Sequence, residues 1–321
     1  MRGRRWLGAP SGIAAVLAVL VVPWVVRDYQ RIFIAEIFIW GLFAMSFALV
    51  YTWGGMLSFA QAVFFGAGCW GFNLATLRFE LGTWGAVLCS IAAAAALAVP
   101  VGYIATRVRH HHFLIVTVIF SVLVSTVLSS GHWRWSGGPY VTSAFTFVPE
   151  VRLGIATFGF NDETVAYYFT VALVAAAVGI SSLLVASPFG RALLAIADNE
   201  VRAQLIGLDV KRLRWAMFVV AGAVAGLSGC LYALLSRYTS LEFWDWTYSG
   251  KAVVMAILGG AGSLAGPFVG TAFYMIATEY LSRQFEQFIV LVGVLLLVIV
   301  RYAPDGLWGL FLRGVALTRK Q

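Results

Sequence analysis

Apolar runs of about 18 or more residues recur along the whole of this chain, and no other feature constrains its fold as strongly. A helix of that length crosses the hydrocarbon core of a bilayer, where only helices and closed barrels satisfy all their backbone hydrogen bonds. The composition agrees, because 61% of the 321 residues are hydrophobic and only 11% are charged. No interval large enough for a soluble domain remains. We therefore expect an all-α polytopic membrane protein that forms a single transmembrane domain, residues 1–321.

The runs predict about 8–10 transmembrane helices, some of them broken by glycine or re-entrant. Plain spans are expected at about 12–26, 32–53, 56–77, 83–105, 113–130, 167–186, 215–236 and 288–302. Arginines precede the first run and no small-residue cleavage site follows it, so we interpret it as an uncleaved span with a cytoplasmic N-terminus. Because spans alternate sides, loop 131–166 is expected outside. Its Trp and Tyr residues suit the headgroup zone, and a docking surface for an external partner is the alternative.

The interval 187–214 is strongly polar and is expected on the cytoplasmic side as a short helix lying outside the bilayer. Ser187 can cap its first turn, Pro188 suits the first helical position, and Gly207 offers a stop. One face is apolar, formed by Phe189, Ala192, Leu193 and Ile196. Two interpretations stay open: a solvated connector that obeys the positive-inside rule, or a docking helix on which a cytoplasmic partner pushes.

A short sequence echo links two glycine-interrupted places in the chain. The segment GGMLSFA at 54–60 matches GGAGSLA at 259–265, and the stretch 251–258 before the second match is too short to cross a bilayer. If the basic tail at 313–320 is cytoplasmic, region 251–281 must enter and leave on one side as a broken or re-entrant pair, which we expect; one plain span, the alternative, would place the tail outside, against the charge rule. Paired glycine breaks in two halves point to an inverted repeat and a midplane transport site. The residues expected along this path are Gly54, Gly55, Ser58, Gln61, Gly259, Gly260 and Ser263. Small-residue helix packing would also explain all of them.

Four stretches carry a family resemblance: GGMLSFAQAVFFGAGCW at 54–70, GRALLAIADNEVRAQLIGLDVKRLRWAMFVVAGAVAGLSGCLYA at 190–233, MAILGGAGSLAGPFVG at 255–270 and APDGLWGL at 303–310. On these stretches the chain resembles the permease subunits of branched-chain amino-acid ABC importers of bacteria, the LivM-like group. The resemblance implies a multi-pass protein of the bacterial cytoplasmic (inner) membrane that works by alternating access. The implied partners are a homologous LivH-like permease, two LivG/LivF-like ATPase subunits, and a periplasmic or extracellular solute-binding protein. The implied ATPase-coupling residues are Gly190, Arg191, Ile196, Asp198, Asn199, Glu200 and Gly207.

Lys251 departs from the resemblance, since relatives often carry an acidic residue four positions before the methionine. Its ammonium could snorkel to the outer interface, or it could contact an anionic group of the solute as the solute enters. The resemblance implies branched-chain or related amino acids as solutes. Importers of urea or short amides also contain such subunits, so these solutes are the alternative.

Other function classes have weak support in the sequence. The chain has no G-x-x-x-x-G-K-(S/T) loop, so we expect no bound cofactor here, with ATP and Mg²⁺ on partner subunits. An ion-coupled carrier would need intramembrane charges, and Glu36, Glu279 and Lys251 all lie near segment ends. Neither the three histidines at 110–112 nor the three scattered cysteines suggest a metal site. We read the net charge of +8 as inner-face topology charge rather than a nucleic-acid surface. An enzyme is not expected.

Overall fold

A computed structural model describes residues 28–108, 110–130, 143–144, 151–153, 156–158 and 162–284, with scattered positions between 290 and 310. The expected first span lies outside these residues, as do the C-terminal tail and much of the last span. The described part is almost entirely helical, which confirms the all-α polytopic class. Five of its segments are long and apolar enough to cross a membrane: Tyr29–Trp53, Thr83–Ala105, His112–Ser129, Glu163–Ala186 and Val210–Ser236.

The described helices are α1 (Asp28–Ala48), α2 (Gln61–Leu77), α3 (Thr83–Ala105), α4 (His110–Ser129), α5 (Glu163–Ala186), α6 (Pro188–Asp198), α7 (Glu200–Leu205), α8 (Val210–Ser236), α9 (Trp246–Gly259) and α10 (Gly266–Ser282). A π-helical segment, Leu49–Trp53, extends α1, and a 3-10 turn, Leu241–Trp244, precedes α9. Two antiparallel pairs of very short strands lie beside the helices. They are β1 (Ser143–Ala144) with β4 (Tyr238–Thr239), and β2 (Val151–Leu153) with β3 (Ala156–Phe158).

Helix α8 packs against α1, α2 and α3 and forms the centre of the core. A Cβ atom added at Gly68 of α2 would overlap the carbonyl of Gly226 in α8, and one added at Gly229 would overlap the carbonyl of Phe65. Glycines therefore let the two backbones touch, as in other membrane helix pairs. The Cys69 thiol donates to the Gly229 carbonyl oxygen at 3.1 Å within this contact, so that cysteine serves packing.

Side-chain contacts fix the relative directions of the core helices. Ser228 of α8 donates to the carbonyl oxygen of Ile39 at 2.7 Å, and Arg214 donates to that of Gly54, so α1 and α8 are antiparallel. Helix α2 runs parallel to α8, because Phe64 stacks edge-on against Phe218 while Cys69, further along, meets Gly229. We call the end of the bundle that contains Gly54 and Arg214 the Arg214 end.

Helices α9 and α10 are the glycine-broken pair that the sequence predicts. At the Arg214 end, the Thr52 hydroxyl donates to the Ala261 carbonyl oxygen at 2.8 Å. At the opposite end, the Tyr29 hydroxyl lies 3.5 Å from a carboxylate oxygen of Glu279. Helix α10 is therefore antiparallel to α1, and the chain reverses direction at the glycine turn between α9 and α10.

The two echoed segments run in the same direction. Each precedes a helix of 17 residues, and each of these helices, α2 and α10, is antiparallel to α1. The echo is therefore a parallel pair and does not supply the inverted repeat that we expected from it. The reason is that the shared letters encode a local event, a glycine turn followed by a helix start, which is the same whichever way the segment points.

Three local expectations need correction. The span expected from residue 56 begins as a helix only at Gln61, because 54–60 is irregular. The single helix expected after residue 187 is two helices, since Asn199 leaves the helical conformation and its side chain accepts a hydrogen bond from the Arg202 amide. The Ser187 hydroxyl does not cap α6. It donates instead to the Leu184 carbonyl oxygen at 2.6 Å.

Candidate transport path and docking segment

The α6–α7 segment, residues 188–205, lies against the Arg214 end with one apolar side turned inward. Leu193 and Ile196 are fully buried, and Gly190 fits tightly against the Val185 backbone, where a side chain would overlap it. The remaining implied coupling residues lie outward or at the rim: Arg191, Asp198, Asn199 and Gly207 are exposed, and Glu200 is half-buried. Gly207 has a φ of +88° and ends the segment, as the sequence predicts.

The outward side of the α6–α7 segment also has large apolar side chains, which the sequence pattern did not lead us to expect. Val201, Leu205 and Ile206 are 68%, 82% and 71% exposed. The first two lie in the short helix α7, and Ile206 is the residue directly after its end. Solvated connectors at a membrane surface are normally polar, so a group of exposed large apolar side chains marks an interaction surface. The sequence signal was available, because these three residues lie off the inward stripe formed by Leu193 and Ile196.

The first glycine turn lies beside the α6–α7 segment. Gly55 has a φ of +64°, and a Cβ atom at this position would be 3.4 Å from Ala197 of α6. The Gly54 carbonyl accepts from Arg214 Nε at 3.2 Å, and Arg214 Nη1 is 2.8 Å from Glu200 Oε2. Sequence reasoning missed Arg214, which it counted only as one of several basic residues before an apolar run.

The irregular stretch after the first turn is held by hydroxyl groups from two other helices. Thr117 of α4 accepts a hydrogen bond from the Phe59 amide at 3.1 Å. Ser121 of α4 and Ser249 of α9 both donate to the Phe59 carbonyl oxygen, at 2.8 and 2.7 Å. Unpaired backbone groups are costly inside a bilayer, and these hydroxyls supply the missing partners. The sequence signal was Thr117 and Ser121 one helical turn apart in an apolar span.

The expected path residues Ser58 and Gln61 are both fully buried near this point. Ser58 Oγ accepts from the Ala60 amide at 3.2 Å, which is a local helix-start contact. Gln61 Oε1 lies 3.3 Å from Ser46 Oγ, whose proton is donated to the Phe43 carbonyl oxygen at 2.6 Å, and Gln61 Nε2 has no hydrogen-bond partner among the described residues. Of the polar path residues expected from the sequence, Gln61 is therefore the one with a buried side-chain atom that has no hydrogen-bond partner among the described residues.

The second glycine turn is compact and is closed by backbone. Gly260 has a φ of +98° and lies against the Asp305 carbonyl, while Gly259 lies against Gly266. Ser263 Oγ accepts from the Gly266 amide at 2.9 Å and so starts α10. The Thr52–Ala261 hydrogen bond places the two echoed turns side by side.

Lys251 lines a cavity of about 460 Å³ between α4 and the segment that comprises the 3-10 turn and α9. The lining is largely polar and consists of Ser125, Ser129, Leu241, Glu242, Asp245, Thr247, Tyr248 and Lys251. The Lys251 ammonium lies 4.0 Å from the centre of the Tyr248 ring. Asp245 caps α9 through the Thr247 amide at 2.8 Å. The cavity therefore contains both signs of charge around hydroxyl groups.

The family comparison covers nearly all of these features. A family model described as the permease component of a branched-chain amino acid transport system matches residues 31–300. The chain belongs to this family. The matched range includes both glycine turns, the α6–α7 segment, Arg214 and the cavity.

This family member is 25% identical to the high-affinity branched-chain amino acid transport permease LivM of Escherichia coli K12 over 275 residues, covering 79% of this chain and 64% of that relative. LivH of the same strain is 30% identical over 131 residues, covering 38% of this chain and 40% of the relative. A Klebsiella pneumoniae permease named for autoinducer 2 import, LsrC, is 27% identical over 206 residues, covering 57% of each chain. The match thus spans less than two thirds of the LivM length. No solved structure matches significantly.

Two of the charges considered for an ion-coupled carrier make separate contacts in the described part of this permease-family chain, and the third, Glu36, is half-buried in α1. Glu279 is paired with Arg283 at 2.6 Å near the end of α10 and lies close to Tyr29. Lys251 lies in the cavity, beside the Tyr248 ring. Within the residues that the structure describes, no group of three His, Cys, Asp or Glu side chains could hold a metal ion.

Proposed function

We propose that this chain is the transmembrane permease subunit of a binding-protein-dependent ABC importer, and that it moves branched-chain or related amino acids by alternating access. The observation that carries the proposal is the α6–α7 segment. On its inner side Arg214 links it by hydrogen bonds to the first glycine turn, and on its outer side it has exposed apolar residues. Such a segment can receive a push from a partner and pass it into the bundle. The family match supports the same conclusion.

In this proposal, α6–α7 faces the cytoplasm of a bacterium, and the N-terminus lies on the same side of the inner membrane. Two ATPase subunits of the LivG/LivF kind bind ATP and Mg²⁺, and this chain binds neither. A homologous LivH-like permease completes the path, and a binding protein delivers the solute from outside. The ATPase pair shifts the permease only if each of its states binds the two permease conformations unequally.

The charges of the cavity support a zwitterionic solute over urea or a short amide. A free amino acid carries a carboxylate and an ammonium group, for which Lys251 and Glu242 are complementary in sign. Urea is neutral and gains no charge pairing there. The name of the LsrC relative refers to autoinducer 2, so family membership alone does not fix the solute.

The first test is gentle affinity purification of the tagged chain from its native membranes, followed by mass spectrometry. We expect a second permease and one or two P-loop ATPases in near-stoichiometric amounts, and ATP-dependent uptake when the complex is reconstituted with the binding protein. A chain that purifies without ATPases and transports without ATP, with uptake abolished by ionophores, would contradict the proposal in favour of an ion-coupled carrier.

The docking surface can be tested by Leu205→Ser. Leu205 is 82% exposed at the end of α7, and Leu183, which is 74% exposed in α5, offers a matched control on a membrane-spanning helix. We expect Leu205→Ser to weaken recovery of the ATPases while Leu183→Ser leaves it unchanged. Charge reversal at the exposed Arg191 is expected to lower ATP-driven transport while the chain still inserts. Normal ATPase recovery and normal coupling in these variants would argue against docking at this segment.

The solute class is tested at Lys251. Lys251→Ala is expected to slow uptake of leucine, and Lys251→Arg, which keeps the charge, is expected to retain most of it. Uptake of urea and acetamide by the wild-type importer is expected to be negligible. Unchanged transport of every candidate solute in Lys251→Ala would remove this residue from the path and leave it as an interfacial lysine.

A further inference from the structure

Arg214 is a cation that the fold keeps almost entirely away from solvent. It is the fifth residue of α8, and its side chain is only 11% exposed. Removing a guanidinium from water is costly unless its hydrogen bonds are replaced. Arg214 has two replacements, and they belong to different parts of the molecule: Nη1 meets Glu200 at 2.8 Å, and Nε donates to the Gly54 carbonyl oxygen at 3.2 Å.

The two partners of Arg214 belong to two different parts of the molecule, the α6–α7 segment and the helix bundle. Glu200 is the first residue of α7, so it belongs to the segment that the proposed function assigns to ATPase docking. Gly54 ends the π-helical extension of α1 and opens the irregular stretch toward Phe59. Arg214 is therefore a side chain that connects the docking segment to the irregular backbone of the bundle.

The connection continues to the second glycine turn. Two residues before Gly54, the Thr52 hydroxyl donates to the Ala261 carbonyl oxygen at 2.8 Å. A line of short contacts thus joins Glu200, Arg214, Gly54, Thr52 and Ala261. The middle of this line is the end of a π-helical turn, and the residue after Gly54, Gly55, has a φ of +64°; such irregular backbone often occurs at functional sites.

An arginine suits this position for a physical reason. Its planar guanidinium presents donors in a fixed fork, so one side chain can bind a carboxylate and a carbonyl at the same time with defined directions. A lysine has a single point charge on a flexible stem and would not hold both partners in the same geometry. Arg212, two residues earlier, offers a contrast, since its side chain is 85% exposed and pairs with Asp209, one turn away at 3.0 Å.

We propose that Arg214 is a positioning residue that transmits movement of the α6–α7 segment to the two glycine turns. The inference rests on the proposed function and goes beyond it by naming the contact through which the docking segment acts. The Arg214 bridge moves the Gly54 turn together with Glu200, and the Thr52 contact passes the shift to Ala261. Loss of the bridge leaves both the ATPases and the path intact but disconnects one from the other.

The test uses the complete importer in proteoliposomes, with leucine and the binding protein, and measures solute transported per ATP hydrolysed. For Arg214→Gln we expect this ratio to fall on the order of tenfold, in the range of typical coupling energies between sites. Binding-protein-stimulated ATP hydrolysis should stay within about twofold of the wild type, far less than such a coupling effect. Arg214→Lys is expected to give an intermediate ratio. Arg212→Gln, the matched control, is expected to behave as the wild type.

The outcomes separate this inference from the proposed function. If the wild-type importer shows no ATP-dependent uptake, the proposed function fails. If it does, and assembled Arg214→Gln importer keeps a normal ratio, only the Arg214 inference is overturned. Transport and ATP hydrolysis that fall together, in proportion to the amount of assembled complex, would also overturn it, because a purely structural residue would act that way. Should Arg214→Gln not assemble, Glu200→Gln decides, and a normal ratio in that variant overturns the inference.

Discussion

The two glycine turns share their sequence and the length of the helix that follows, but they are built differently. The second turn is sealed by backbone, with Gly260 against Asp305 and Gly259 against Gly266. The first turn is open to side chains, because Arg214 binds the Gly54 carbonyl and Ala197 lies in ordinary contact range of Gly55. The same letters therefore make a turn closed mainly by backbone in one place and a turn in contact with the α6–α7 segment in the other.

The difference suggests a division of labour between the turns. A turn closed mainly by main-chain atoms keeps its internal shape and moves only as a unit with the two helices that it joins. A turn held by a few side-chain hydrogen bonds can follow whatever moves those side chains. The first turn is next to the α6–α7 segment, and the second is joined to the first through the Thr52–Ala261 hydrogen bond.

The largest expected effect is that of Gly260→Ala. A methyl group there would overlap the Asp305 carbonyl, and the φ of +98° is strained for any residue with a side chain. Gly55→Ala is the matched comparison, since its φ of +64° is also left-handed while its Cβ would have room, at 3.4 Å from Ala197. We expect Gly260→Ala to yield little folded protein and Gly55→Ala to lose about 1–2 kcal/mol.

The measurement is size-exclusion chromatography of each detergent-solubilised variant after a series of heating steps. A normal melting profile for Gly260→Ala would contradict the view that the second turn is sealed by backbone. A collapse of Gly55→Ala equal to that of Gly260→Ala would show that the first turn is just as confined.

The next effect in size concerns the serines that the two turns share. Ser263 Oγ accepts from the Gly266 amide at 2.9 Å, and Ser58 Oγ accepts from the Ala60 amide at the longer distance of 3.2 Å. Loss of a helix-start acceptor costs about 1 kcal/mol. Ser263→Ala should therefore lower thermal stability by about that amount, and Ser58→Ala by less. A larger loss for Ser58→Ala would reverse the ranking of the two turns in rigidity.

A smaller effect is expected from Thr52→Val, which removes the hydrogen bond between the turns and keeps the shape of the side chain. A neutral hydrogen bond contributes about 1 kcal/mol or less to stability, but here it joins two parts of the proposed path. We expect a small change in melting temperature and a clear loss of solute transported per ATP. Thr52→Ser, which keeps the hydroxyl, is the control. Equal behaviour of both variants would mean that the turns work independently.

The sequence predicted the elements of this comparison better than their connections. Helix spans follow from apolar length alone, and the glycine turns and the inward face of Leu193 and Ile196 follow from local patterns. The Arg214–Gly54 contact joins residues 160 positions apart, and the Ser249–Phe59 contact joins residues 190 positions apart. Such pairings depend on the relative placement of whole helices, which no local pattern contains. The direction of the repeat was mistaken for the same reason.

The break at Asn199 could have been found from sequence, because an asparagine followed by Glu-Val-Arg is a typical helix start. Its side chain accepts from the Arg202 amide at 2.9 Å in that manner. The apolar face formed by Leu193 and Ile196 favoured a single continuous helix, so the break was not predicted. The break has a consequence, since it presents Glu200 to Arg214 from the first turn of a separate short helix.

The smallest expected effect on stability is also the most informative about the path. Gln61 Nε2 is buried without a hydrogen-bond partner among the described residues, and Oε1 has only the 3.3 Å contact from Ser46. Burying an unpaired amide is costly, so replacing it with an apolar side chain of similar size should be close to neutral. We expect Gln61→Met to leave the melting temperature nearly unchanged or slightly raised.

Transport should respond differently, because the unpaired amide of Gln61, two residues after Phe59, can donate to a carboxylate or carbonyl oxygen of the solute. Gln61→Met is expected to slow leucine uptake with ATP hydrolysis retained. Ser46→Ala is the control, since the Ser46 hydroxyl donates to the Phe43 carbonyl oxygen at 2.6 Å and its loss leaves the Gln61 amide in place. If Gln61→Met transported normally and was clearly less stable, Gln61 would be a packing residue with a partner outside the described chain, and the first turn would owe its openness to Arg214 alone.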